Sequence, residues 1–164
     1  MTRLWSKRPI EIANLLNPAF CSLLLRESIV GCEQEAGAGM PYASSFLVLP
    51  VVLHKPTRDL LPKTIATKLH PWIQENQSVR IGFAERVRWT IPYTKEALHY
   101  ASSANLIDIS DGGLLVSKKV RLKKLPWPKT SEPSVCKSKA RFIGRWFSLA
   151  GDTATLLAMW GVRL

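Results

Sequence analysis

Three histidines, three cysteines and twelve acids are the side chains of this 164-residue chain that could bind metal or move protons, and their spacing supports neither. His54, His70 and His99 show no H-E-x-x-H spacing, no neighbouring cysteine pair and no aspartate partner close in sequence, so they read as satisfied or exposed imidazoles. Cys21, Cys32 and Cys136 are odd in number and contain no C-x-x-C pair, which suggests neither a disulfide framework nor a zinc knuckle. They read as reduced, mostly buried thiols. Asp108 and Asp111 are the acids placed closely enough for general acid and base work, and a turn explains them. There is no nucleophile elbow, Walker loop, dinucleotide fingerprint or EF-hand loop. Gly37-Ala38-Gly39 lacks the following lysine and preceding strand of a phosphate cradle. The expectation is a non-enzyme without metal or cofactor.

Charge is the stronger signal. The net is +11, and the segment from Lys118 to Arg145 holds ten Lys or Arg against one acid, Glu132, so +9 lies there and +2 on the rest. Such a patch is a footprint for nucleic-acid phosphate or for an acidic protein surface; a solvated basic linker is the plain alternative. The candidate contact residues are Lys118, Lys119, Arg121, Lys123, Lys124, Trp127, Lys129, Lys139, Arg141 and Arg145. Trp127 stands between Pro126 and Pro128, which stiffen the segment, so its ring is either docked on the chain's own core or offered to a partner.

The elements that must position these residues follow from periodicity. Tyr93 to Ser117 is the clearest stretch. Thr94 caps a helix whose apolar side is Ala97, Leu98, Ala101 and Ala104, and Asn105 tolerates a left-handed exit. From Leu106 the period becomes two, with Ile107 and Ile109 alternating against Asp108 and Ser110, and Asp111, Gly112 and Gly113 turn the chain into Leu114, Leu115 and Val116. Two helices are expected before it, Ile65 to Ile73 and Ser78 to Trp89. Helix, helix, helix, hairpin is the order of a winged helix; an ordinary helix and hairpin is the other reading.

Upstream, Pro9 opens a helix through Ile10 and Leu16, and Asn17 with Pro18 starts a second through Leu25; both are expected in the core. Gly31 to Met40 reads as a loop. Phe46 to Leu53 reads as a buried helix bent by Pro50, and Thr57 as the cap of a short turn before Pro62. After the basic, proline-bearing linker 118–133, Val135 to Ala150 is a helix with Phe142, Ile143, Trp146 and Phe147 inward and Lys139, Arg141 and Arg145 outward. Asp152 caps a last helix closed by Gly161.

With 46% apolar and 21% charged residues, the chain is expected to form one domain over 1–164 that buries roughly 70% of its unfolded surface. The fold class expected is mainly α with a small β-hairpin, a winged-helix-like α+β domain with extra N- and C-terminal helices. Glu11 interrupts the apolar core of any secretory signal, and Met40 to Leu53 is short of the roughly 20 residues of a membrane span, so a cytoplasmic address and no membrane partner are expected.

Three stretches carry a family likeness: NLLNPAFC from Asn14 to Cys21, FLVLPVVLHKPTRDLLP from Phe46 to Pro62, and GRWFSLAGDTATLLAMWGVR from Gly144 to Arg163. Together they resemble the middle component of bacterial three-component ABC ATPase systems, a family that includes the small subunit of Lamassu-like antiphage defence complexes. The resemblance runs from about Pro9 to Arg163 and rests on structural motifs. It implies a non-catalytic adaptor between an SMC-like or Rad50-like ABC ATPase and an effector, often a nuclease, with non-specific DNA contact through the complex. It carries no residue role onto a numbered position. A stand-alone winged-helix DNA-binding regulator is the rival, in which the helix Thr94 to Ala104 enters the major groove; that helix offers it only Lys95 and His99, with Glu96 opposed to phosphate.

Overall fold

A computed structural model describes Leu4 and residues 7–164. Nine α-helices and one hairpin are found among them: α1 (Ile10–Leu15), α2 (Pro18–Ala36), α3 (Tyr42–Ser45), α4 (Val48–Val52), α5 (Lys55–Leu60), α6 (Leu69–Glu75), α7 (Phe83–Ser103), β1 (Ile107–Ser110), β2 (Gly113–Val116), α8 (Glu132–Ser148) and α9 (Thr153–Met159). The chain is mainly α with a small hairpin, as its periodicity indicated.

The scaffold is the pair α2 and α8, the most extensive packing of two elements in the fold, with α7 also packed on α2. Small residues make the crossing close. A methyl group on Gly144 of α8 would collide with the Ser28 carbonyl oxygen of α2, and one on Gly31 with the Arg141 carbonyl oxygen. This corrects the loop expected from Gly31. The helix continues to Ala36 and stops at Gly37, φ 66°, because Gly31 is there to admit the neighbouring backbone rather than to break the helix. Asn17 caps α2 as expected, accepting from Ala19 N–H at 2.9 Å. Among the described residues Ile10–Ala36 is the one helical stretch long and apolar enough, by length and composition, to cross a membrane, and Asn17-Pro18 interrupts it. α1 is not the core helix expected of it: Ala13 and Leu16 are buried, whereas Ile10 is 72% exposed.

The buried helix expected over Phe46 to Leu53 is present in shorter form as α4, which contains Pro50 and whose five residues are all buried, and α3 precedes it. His54, not Thr57, caps α5, its Nδ1 accepting from Thr57 N–H at 3.3 Å. Trp72 of α6, Phe83 of α7, Trp146 and Phe147 of α8 and Trp160 interlock beneath them, with Trp72 and Trp146 edge to face at 5.1 Å and Phe83 stacked on Trp160 at 4.5 Å.

The largest correction is α7. The helices expected from Ser78 to Trp89 and from Thr94 to Ala104 are one 21-residue helix through Pro92, preceded by a 3-10 turn at Gln77–Arg80 and the left-handed Gly82. Pro92 removes one backbone donor, and helix continuity is held by a buried stripe of Phe83, Val87, Thr90, Thr94, Ala97, Leu98 and Ala101 at spacings of three and four. Thr94 is therefore a core residue, not a cap.

Asn105 does make the left-handed exit, φ 54°, and the hairpin pairs Ile107 with Val116 and Ser110 with Gly113 around Asp111-Gly112. Ile107 is buried while Ile109, on the same face, is 56% exposed, although its cross-strand partner Leu114 is fully buried. The outer edge of β2 is occupied. Met40 N–H donates to the Leu114 carbonyl at 2.9 Å and Leu114 N–H to the Met40 carbonyl at 2.8 Å, while Val116 N–H donates to Glu33 Oε1 at 2.8 Å.

Candidate functional site

After β2 the chain crosses α2 as a strap, residues 117–128, without helix or strand. It begins where Val116 is held by Glu33 and reaches Phe20 near the other end of α2, where the Trp127 ring meets the Phe20 ring edge-on, centroids 6.0 Å apart. Trp127 is thus half-buried beside Phe20 of α2. Lys118, Arg121, Lys123 and Lys124 line a groove of about 680 Å³ whose floor is Leu23, Arg26 and Glu27 of α2.

The structure divides the ten candidate residues into groups. Arg141 does not project into solvent alone: its Nη2 lies 2.7 Å and its Nε 2.9 Å from Glu27 Oε2. Arg145 binds Glu35 Oε2 through Nε and Nη2, both at 2.9 Å. These two cations close the α2–α8 crossing. Lys119 reaches Asp108 at 3.4 Å, both groups well exposed, and Lys139 lies over the Phe142 ring at 5.7 Å. Lys118, Arg121, Lys123, Lys124 and Lys129 have no acidic partner among the described residues and are exposed.

Glu27 was not among the residues the sequence singled out. Its carboxylate, buried to 6% exposure, is also 3.6 Å from Lys137 and 3.8 Å from Arg26. The signal was an acid inside an apolar helical run, which is costly to bury without cations beside it. Arg58 was missed as well. Its guanidinium is almost fully buried; Nη1 donates to the Val52 carbonyl at 2.7 Å and lies 3.1 Å from Cys136 Sγ, and Nη2 donates to Glu132 at 2.7 Å. The lone acid of the basic segment therefore ties the start of α8 to α5. Arg8 likewise grips both oxygens of Glu96 on α7 at 2.8 Å.

A second, apolar surface shares no residue with the strap groove. Trp89, half exposed and 5.3 Å from the Tyr93 ring, borders a cavity of about 140 Å³ with Leu15, Leu53, Pro50, His54 and Arg86.

Burial pushes the Cys21 thiol up to about 12, and burial also raises Cys32 and Cys136, the latter against the pull of Arg58, so the three are protonated thiols rather than nucleophiles. Burial, then the charge of Arg86, lowers the His54 pKa. No cluster of three or more His, Cys, Asp or Glu side chains suited to a metal occurs among the described residues.

A family model described as ABC-three component (ABC-3C) system Middle Component 3 matches residues 5–164. No curated protein and no solved structure matches the chain.

Proposed function

Since the chain belongs to the Middle Component 3 family of ABC-three component systems, we propose that it is the non-catalytic adaptor of a Lamassu-like antiphage defence complex. In this reading it bridges an SMC-like or Rad50-like ABC ATPase and an effector such as a nuclease, in the cytoplasm. The observation that carries the proposal is the extent of the family match, which takes in α1 to α9, the hairpin and the strap. The two exposed surfaces support it. A cationic strap and an apolar patch around Trp89 differ in chemistry and share no lining residue, as an adaptor holding two unlike partners requires. DNA contact then belongs to the whole complex, with the ATPase as the recognising subunit.

Size-exclusion chromatography of the chain co-expressed with the products of its neighbouring genes tests this. Co-elution with a coiled-coil ATPase and a third protein at physiological salt is expected; elution of the chain alone would overturn the adaptor reading. The junction of α7 with the hairpin through Asn105 favours one competitor, a stand-alone winged-helix regulator, and tight, sequence-selective duplex binding by the isolated chain would put that reading first.

A further inference from the structure

The strap is held at both ends and open between them. Among the described residues no backbone-to-backbone hydrogen bond involves residues 118–127, although the segment continues directly from β2. Its side chains alternate, Lys119, Arg121 and Lys123 against Val120 and Leu122, and the two apolar residues are 38% and 37% exposed. Lys119 N–H donates to Ser117 Oγ at 3.3 Å; the free donors and acceptors beyond it, the period-two side chains and the fixed ends are the properties of a strand without its neighbour.

Resting on the adaptor reading above, we propose that residues 118–125 receive an extended, acidic segment of a partner polypeptide. The segment adds as a strand to the strap's backbone, places Asp or Glu against Arg121, Lys123 and Lys124, and covers Val120 and Leu122 with its own apolar side chains. Charge settles the sign of the occupant. These three cations lack an acidic partner among the described residues, whereas Arg141 and Arg145 on α8 are already neutralised by α2. Backbone and apolar exposure settle its class. Phosphates would engage the cations but leave the open N–H and C=O groups unpaired and the apolar row in water, whereas strand addition uses all three.

Hydrogen exchange of the isolated chain and of the co-purified complex tests the proposal, with Val120→Pro as the informative variant. This substitution removes one backbone donor and no charge, in a segment where no helix or strand is there to break, and circular dichroism checks that the fold persists. Amides of residues 120–125 are expected to exchange about tenfold or more slowly in the complex, and Val120→Pro to weaken assembly about tenfold while leaving duplex DNA binding unchanged. If the chain co-purifies but these amides exchange as fast as in isolation, the inference fails and the adaptor reading stands. If duplex DNA alone slows them in the isolated chain, a nucleic-acid surface replaces the proposal. If the chain does not co-purify, the adaptor reading fails, and a capped peptide of alternating Glu and Val then tests the strap directly. Binding that Val120→Pro abolishes supports strand addition, and no binding overturns it.

Discussion

Gly144 of α8 lies against the backbone of Ser28 in α2, so close that a single methyl group on it would strike the Ser28 carbonyl oxygen. Neither backbone can retreat, because Gly31 one turn further along α2 meets the Arg141 carbonyl in the same way. Gly144→Ala should therefore destabilise the fold by about 3 kcal/mol, the upper range of overpacking in a close-packed interior. Gly37→Ala is the control, because nothing lies within 4 Å of its added methyl and only the left-handed φ of 66° is strained, at about 1 kcal/mol. Urea unfolding of the two variants measures the gap; equal costs would show that the α2–α8 crossing opens freely.

Arg58 and Glu132 should respond unequally. Arg58→Ala leaves the Val52 carbonyl and a cavity behind in the core, and about 3 kcal/mol of stability should be lost. Glu132 is 67% exposed, and Glu132→Gln keeps an acceptor in place, so its cost should stay near 1 kcal/mol or below. Thermal and urea unfolding check the order; a reversal would mean that the pair is held from Glu132.

His54 should make stability depend on pH. Burial and Arg86 lower its pKa below 6.5 in the fold, so the unfolded chain binds the proton more readily. Its contribution is complete above pH 6.5 and is lost as pH falls through the lowered folded value. His54→Asn retains a capping oxygen but does not titrate, and should flatten the stability profile between about pH 7 and pH 5. An unchanged slope in urea melts across that range would exclude His54 as its source.

Replacing Lys118, Lys119, Lys123 and Lys124 by Ala should weaken assembly of the complex and reduce the salt sensitivity of that assembly, while duplex DNA binding by the isolated chain changes little. If the four lysines instead touched phosphates, the slope of log affinity against log salt would flatten by roughly 3 to 4. Titrations at two salt concentrations, with chain and with complex, separate these outcomes.

Where local chemistry decides, the sequence alone determined this protein: the Asn17 and Asp152 caps, the left-handed Asn105, the Asp111-Gly112 turn, the closing Gly161 and hence the mainly α class with one hairpin all depend on residues within a few positions of each other. The cationic segment was legible for the same reason, since charge is counted along the chain. Tertiary structure alone decided the rest. Pro92 reads as a break until the buried stripe from Phe83 to Ala101 outweighs one missing hydrogen bond, and Gly31 reads as a loop until α8 arrives against it. Arg141 and Arg145 read as outward cations until Glu27 and Glu35, more than a hundred positions away in sequence, neutralise them. Packing joins residues by distance in space, so which cations of the basic segment stay open, and that four of them lie on the strap, emerged only when α2 and α8 were brought together.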